Sequence, residues 1–410
     1  MPKFSKIMLL GVSVVLVLTI FLGVHTSGVS AASGGQDGAY RQIMVYQEVL
    51  HHIQSDYVED PNMRAVTSGA LRGLLESLDS DSSYLSAEDY KAYKEHLAGK
   101  AQVGINVSKR YGYATVVSVV PNGPADRAGL GDGDIIESIG TQSTRDLSLA
   151  VIQMMLDGAP GSQITLSVVR PRKAAPEKLT LTRAVTTLPS TTEVQYENQT
   201  ILYLKPGVLD HEHVQQIEAK IKNMQKAGNK KILLDLRDVA AGDIAEGERL
   251  ANDLLKSGTI AMLEGQKVAK QTIAADPAKT LNAAAPMVVL VNRGTAGAAE
   301  IVAAALADNK RADLVGEKTF GEGAQQKTFE LQDGAALILS IAKYQTPNGK
   351  KIQDEGVTPA TVVASAGDDA VVVDEDGAAP ATAPAVPVKT AAKVDDQLSK
   401  ALDMLKNKAA

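Results

Sequence analysis

The chain is expected to be a multidomain α/β protein, because its texture changes twice along its length and its longest region alternates strand with helix. A helical N-terminal region is followed by a β-rich module with short helices, and then by an α/β core. At 410 residues there is room for two or three domains. The 44% hydrophobic content supports a core in each.

At the N-terminus, Lys3 and Lys6 precede an apolar run from Met8 to Gly23 and the small-residue stretch Gly28-Val29-Ser30-Ala31-Ala32. Residues 1–31 therefore read as a signal peptide cut after Ala31, or as an uncleaved membrane anchor. Either reading places the body outside the cytoplasm, in the periplasm or an equivalent compartment. Residues 40–98 show helical spacing at Ile43, Val49, Leu50 and Ile53, then at Leu71, Leu74 and Leu75. They run into Leu78-Asp79-Ser80-Asp81-Ser82-Ser83-Tyr84, which lacks the twelve-residue loop and closing Glu of a calcium site and reads as a capped turn.

Residues 99–173 change to short β-type segments, Val103 to Val107, Ala114 to Val120, Ile135-Ile136 and Ile164 to Arg170, with a helix over Leu147 to Leu156. Leu179 to Arg183 reads as a connecting strand. In the region 175–365, Ile201 to Leu204 is a strand, His211 to Ala227 a helix, Lys231 to Arg237 a buried strand and Ile244 to Leu255 a helix. Met287 to Val291 and Asp313 to Val315 are further strands, flanking an Ala-rich helix with Ile301, Val302, Ala305 and Leu306 at helical spacing. Residues 366–392 contain a flexible Pro/Ala linker, GAAPATAPAVP, without the means to form a core. Over 393–409, Val394, Leu398, Leu402 and Leu405 make an apolar helical stripe that needs a cover, expected from the N-terminal helices or a second subunit.

Composition excludes several functions. With 4% aromatic residues, no Trp and a net charge of -6, the chain lacks a base-stacking, polyanion-binding surface, so no nucleic acid is expected. The absence of Cys removes disulfides, a thiol nucleophile and a lipid-modified Cys. His51-His52 and His211-Glu212-His213 lack the i, i+4 spacing of a helical zinc motif, and no metal or other cofactor is expected.

The segment 288–326 reads as the floor of a hydrolase site: strand, Gly-bearing turn, helix, the junction at which a sheet presents a nucleophile beside backbone N–H donors. The turn Arg293-Gly294-Thr295-Ala296-Gly297-Ala298-Ala299 holds one hydroxyl, on Thr295, whose ordinary role would be in the turn or as a helix cap.

Two strings, PNGPADRAGL and GDGDIIESIG, make the second region resemble a PDZ module. The resemblance implies that the loop and strand Val103, Gly104, Ile105 and Val107 accept the C-terminal end of a peptide, which joins the sheet edge. Together with SLDSDSSYL, KILLDLR, RADLVGEKTFGEGAQQ and AKYQTPNGKKIQDEGVTPA, they make residues 40–365 similar to the C-terminal-processing serine peptidases, the tail-specific, PDZ-containing family. That likeness implies a core of the ClpP/crotonase type. The family uses a Ser nucleophile in a turn of the type Gly-Ser-Ala-Ser-Ala-Ser-Glu, a Lys base in Thr-Phe-Gly-Lys-Gly, and a Gln four positions after the Lys. Laid on this chain, those positions are Gly297, Glu322 and Gln326. Where the family has Asn-Asn-Pro-Gly-Gly, this chain has Asp238-Val239-Ala240-Ala241-Gly242-Asp243, which makes Ala241 and Gly242 the remnant of an oxyanion region.

With neither dyad member present, the expectation is a non-catalytic homologue that binds protein C-termini or unfolded tails in the cell envelope as adaptor, regulator or scaffold. Its partners would be protein tails, an active peptidase or a second copy of itself. The alternative is a serine-type endopeptidase cleaving near polypeptide C-termini. Thr295 with Lys318 as base, or Glu322 activating water if burial raises its pKa, are the routes by which hydrolysis would survive.

Overall fold

The computed structural model describes residues 34–96, 101–170, 175–188, 190–365 and 395–408, so the expected leader over 1–31 and the linker over 366–392 lie outside the described residues. The chain divides into a small N-terminal unit ending at Thr67 and a large unit from Ser68 onward. In the first, α1 (Gly34–Asp56) carries its apolar side chains Ile43, Met44 and Val49 in the open. Among the described residues, no helix is long and apolar enough to cross a membrane.

Helix α2 (Met63–Glu76) leads to the turn at 79–82, where the Asp79 carboxylate accepts hydrogen bonds from the backbone N–H groups of Asp81 (3.0 Å) and Ser82 (2.6 Å). This Asx-type closure is the local reason the helical run ends there. Strand β1 (Ser83–Leu85) and helix α3 (Ala87–His96) follow.

The β-rich module is a sheet in the order β2-β3-β4-β6-β7, with β5 beside β4. Its strands are β2 (Ile105–Arg110), β3 (Tyr113–Val119), β4 (Ile135–Ile139), β5 (Gln142–Ser143), β6 (Gln163–Val169) and β7 (Glu177–Thr182). The short helix α4 (Pro124–Arg127) and α5 (Leu149–Leu156) accompany them. Alternate residues Val107, Val116, Ile136, Leu166 and Val168 turn inward onto Ile152 and Leu156 of α5, the period-2 pattern of a half-buried sheet. The segment expected to be a connector is β7, which pairs antiparallel with β6 from Gln163↔Thr182 to Val168↔Glu177 and so completes this sheet.

The core sheet has the order β17-β14-β13-β10-β9-β8. Its strands are β8 (Thr192–Tyr196), β9 (Ile201–Lys205), β10 (Lys231–Asp235), β13 (Met287–Val291), β14 (Asp313–Gly316) and β17 (Thr361–Val362). All neighbours are parallel except β8, which runs antiparallel to β9. Strands buried on both faces read as continuous apolar runs, and Met287-Val288-Val289-Leu290-Val291 is one.

One face packs on α6 (His211–Asn223), α7 (Ile244–Leu254) and α8 (Ala298–Asp308). The opposite face, with Ile201, Tyr203, Leu233, Val288 and Leu290, is covered by Ala401 and Leu405 of α9 (Asp396–Asn407). The terminal helix is thus seated on this chain's own core sheet, which corrects the expected docking on the N-terminal helices or another subunit. Polar ties hold it: Lys231 Nζ donates to the carbonyls of Leu405 (2.7 Å) and Lys408 (2.6 Å) at its C-terminal end, and Arg237 pairs with Asp395 at 2.9 Å.

A second sheet has β16 (Ala336–Gln345) at its centre, joined by β15 (Ala324–Glu330) on one side and by β1 and β11 (Thr259–Glu264) on the other, with β12 (Gln271–Ala274) beyond β11. The pairing Ser83↔Ile338 to Leu85↔Ala336 brings the turn at 79–82 beside the core, and with it Asp81.

Candidate active site

The floor of the site is the junction between β13 and α8. Gly297 stands there with φ 58° and ψ -119°, a conformation that costs an L side chain energy and a glycine little. It stands in a strained turn between strand and helix and carries no side chain. A Cβ built on Gly297 would lie 3.9 Å from Glu322 Oε2, so the chain brings the two aligned dyad positions face to face.

What fixes this geometry is Glu300. Its carboxylate is fully buried and accepts from Gly297 N (3.1 Å), Gly321 N (2.8 Å), Glu322 N (2.7 Å) and the Thr319 hydroxyl. Burial pushes its pKa up to about 7 against the pull of these donors. Four accepted bonds make it the post to which both loops are tied.

Glu322 projects into the cleft and meets solvent there. Protein nevertheless encloses it closely enough that burial, helped by the negative charge of Asp81, pushes its carboxyl up to about 7. Asp81 is itself raised by burial and by Asp79 and Asp354, while its hydrogen bond from Gln353 Nε2 (2.9 Å) pulls the other way. The other end of Gln353 accepts from Gly323 N at 2.8 Å, which couples the 79–82 turn to the Glu322 loop. Gln326 reaches the same turn, donating to the Asp81 carbonyl at 2.7 Å.

Thr295 is excluded as a nucleophile. Its hydroxyl donates to the Leu236 carbonyl at 2.8 Å, accepts from Asn292 N at 3.0 Å and has no exposed surface. It is a turn residue. At Ala241 and Gly242 the backbone packs on Leu209: Leu209 N donates to the Ala241 carbonyl at 3.1 Å, and a Cβ on Gly242 would sit 2.6 Å from the Leu209 carbonyl oxygen. The residue of that segment that lines the cavity is Ala240.

A cavity of about 300 Å³ runs between β2 and α5 and reaches the core, lined by Val103, Ile105, Val107, Gln153, Ala240 and Glu322 among others. Three of the four residues aligned with a PDZ peptide site are therefore on its wall. Gly104 lies between them at φ 82°, a left-handed conformation that favours glycine. Strand β2 is the sheet's edge, paired only with β3 among the described strands.

The histidines have ordinary partners: His52 with Asp56, His211 with Glu246, and His213, buried rather than on the surface, with Asp210 at 2.7 Å. Among the described residues no group of His, Asp and Glu is arranged to hold a metal ion.

Comparison with known proteins agrees with this arrangement. A model of peptidase family S41 matches residues 200–363, and a PDZ domain model matches 115–170. A carboxy-terminal-processing protease of Bartonella bacilliformis is 32% identical over 344 residues, covering 82% of this chain and 78% of that protein. The chain belongs to peptidase family S41. The chloroplastic carboxyl-terminal-processing peptidase 2 of Arabidopsis thaliana is also 32% identical, over 73% of this chain, which spans only 61% of that relative's length. Among solved structures, a photosystem II D1 C-terminal processing protease superposes with a TM-score of 0.68 at 26% identity, over 78% of this chain and 92% of its own.

These relatives correct the expectation of a non-catalytic homologue. At about 30% identity over most of the chain they carry the names of processing proteases, and nothing in the comparison marks a loss of catalysis. Endopeptidase activity, the alternative, is the better supported reading.

The sequence did not single out Asp81 and Gln353 as part of the cleft. The signal available was SLDSDSSYL itself, a polar turn shared with the family but far from the motif in the chain.

Proposed function

We propose that the chain is an endopeptidase of family S41 that cleaves polypeptides near their C-termini outside the cytoplasm, with Glu322 as the general base. The observation that carries this reading is a cavity that leads from the edge of β2 to Glu322. A tail added as a strand to that edge is held by main-chain hydrogen bonds while its upstream bonds pass the cleft floor.

The chemistry open to these residues is direct attack by water. The Glu322 carboxylate takes a proton as the water oxygen bonds to the scissile carbonyl carbon. The same proton then passes to the leaving amine as the C–N bond breaks, which returns Glu322 to its ionised form. Gly297 has no side chain to acylate, so no covalent intermediate forms there. Helix α8 begins at Ala298, directly after Gly297, which puts the positive end of its dipole beside the place where the carbonyl oxygen would gain charge. A pKa near 7 suits a base working at neutral pH.

A tail-labelled peptide library tests the reading. Release of short C-terminal fragments is expected, with KM raised in Gly104→Trp protein and activity kept in Thr295→Ala protein. Absence of hydrolysis across the library would refute the proposal, and labelling by a fluorophosphonate would move the reaction to a serine.

A further inference from the structure

We propose that the free edge of β15 is a second strand-addition site, which takes the segment of the substrate upstream of the scissile bond. It rests on the hydrolytic reading above only for where that bond lies. Among the described strands β15 pairs with β16 alone, from Ala324↔Lys343 to Glu330↔Ala336, so its other edge is open. Gln326 to Glu330 are all exposed.

The ladder shows which backbone groups face outward. Leu331 N donates to the Ala335 carbonyl at 2.8 Å, and at the other end Tyr344 N donates to the Gly323 carbonyl at 2.7 Å. Inward and outward residues alternate along an antiparallel pair, so Gln325, Lys327 and Phe329 turn their backbone groups to β16. Those of Ala324, Gln326, Thr328 and Glu330 turn to the open edge. The irregular step between Gln325 and Gln326 places its extra residue, Ile341, in β16, which leaves the alternation along β15 unbroken. Among the described residues no other element bonds to the backbone of these four.

Position and direction select the occupant. Besides the cavity that leads to β2, Glu322 lines a smaller one of about 80 Å³, with Asp81, Ala324 and Gln326 on its wall. A substrate whose tail lies at β2 and whose scissile bond lies at Glu322 therefore has its upstream part on the β15 side. That part approaches Glu322 in its N-to-C direction, whereas β15 starts at Ala324 and leaves Glu322 in its own. The two chains are antiparallel, the sense in which strands pair more stably. At roughly 3.4 Å per residue the edge offers about 20 Å of backbone.

The side chains of β15 set the sequence it prefers. Lys327 and Phe329 share the face that carries Leu339 and Ile341 of β16 and Val268, an apolar groove. The Lys327 ammonium lies over the Phe329 ring, 5.3 Å from its centroid, yet Phe329 stays 38% exposed. Every second residue of an added strand falls beside that ring, which favours apolar side chains there. The residues between fall beside Gln326, Thr328 and Glu330 and have no such demand. A second copy of the chain fits less well: two β15 edges paired antiparallel over their full length set Lys327 opposite its own copy, a destabilising like-charge contact.

The test reads binding by fluorescence anisotropy in the full-length Glu322→Gln chain and cleavage in the wild type. The probe is a labelled peptide of about 20 residues, apolar at every second upstream position, beside its tail of about six residues alone. The long peptide should bind at least about 10-fold more tightly than the tail. Thr328→Pro removes one outward N–H from an edge strand and no bond from the ladder, and should weaken the long peptide about 5-fold, the loss of one hydrogen bond, with the tail unaffected. Thr328→Val keeps that N–H and should bind as the parent does. N-methylation of one set of alternate upstream amides, but not of the other set, should reproduce the loss without altering the protein. Equal binding of long and short peptides, an equal loss in Thr328→Val protein, or indifference to N-methylation in both sets would overturn the proposal. So would a concentration-dependent dimer that Thr328→Pro abolishes, which would give the edge to a second copy. The expected binding pattern with no cleavage by the wild type would uphold the strand site and refute hydrolysis at Glu322; cleavage with equal binding of the two peptides would do the reverse.

Discussion

Removing the Glu300 carboxylate should disorganise the cleft without touching any group that meets substrate. Glu300→Ala leaves three backbone donors, Gly297 N, Gly321 N and Glu322 N, without their acceptor in a fully buried place. The Thr319 hydroxyl loses its acceptor too, but its O–H can rotate about the C–O bond while its oxygen keeps accepting from Val357 N at 2.7 Å. A buried donor left unsatisfied costs about 1–3 kcal/mol, which gives about 3–9 kcal/mol for the three. Water entering the space left by the side chain would satisfy one or two of them, so the lower end, about 3 kcal/mol, is the expectation. Glu300→Gln keeps one acceptor oxygen but turns its NH₂ toward a donor, and should destabilise by more than 1 kcal/mol. Urea unfolding followed by tyrosine emission measures both, the chain having no Trp. A loss below about 0.5 kcal/mol in Glu300→Ala protein, the range of an ordinary surface change, would refute the role assigned to this residue.

Three further outcomes follow from the same geometry. Because the folded chain raises the Glu322 carboxyl from 4.5 to about 7, it binds that proton more tightly than the unfolded chain, so stability falls as pH rises through that interval. Glu322→Gln should flatten the fall in melting temperature, whereas Asp81→Asn, which removes a neighbouring negative charge, should move the rise of peptidase rate with pH to lower pH. Arg237→Ala leaves Asp235, with no exposed side-chain surface, without its cation and cuts the tie to Asp395; a loss of about 3–5 kcal/mol and faster proteolysis before α9 are expected. Gly242→Ala would force a Cβ to within 2.6 Å of a backbone oxygen at φ 146°, and should cost about 1–3 kcal/mol in denaturant unfolding while leaving KM for peptides unchanged.

Much of the fold was legible because its strands are buried on both faces and its helices carry clear apolar stripes. Lys231–Asp235 and Met287–Val291 lie where their apolar runs put them, and α8 starts at the predicted turn. Boundaries moved by a few residues at helix ends, as with α6, which stops at Asn223 rather than Ala227. The seat of α9 was not legible: an amphipathic stripe states that a cover is needed, and only the sheet face carrying Tyr203 and Leu290 shows which surface supplies it. The β15–β16 hairpin escaped notice because one of its faces remains half-open, which weakens the alternation a strand would otherwise show.

In the site, the pairing of positions 297 and 322 was implied by the family resemblance, and a Cβ on Gly297 would lie 3.9 Å from Glu322 Oε2. The clamp of Asp81 by Gln353 was not legible, since those residues are separated by most of the chain and meet only through the pairing of β1 with β16. The packing of Gly242 against Leu209 was not legible for a related reason. A glycine kept for packing against Leu209 looks, in sequence, the same as one kept for substrate.

Mass spectrometry of a tail-bearing polypeptide incubated with wild-type and Glu322→Gln protein puts the central claim to its most direct test. Fragments cut near the C-terminus should accumulate with the wild type, disappear with the variant, and leave the enzyme's own mass unshifted throughout. An intact substrate with the wild type, equal cleavage by the variant, or an acyl adduct on the protein would contradict the account.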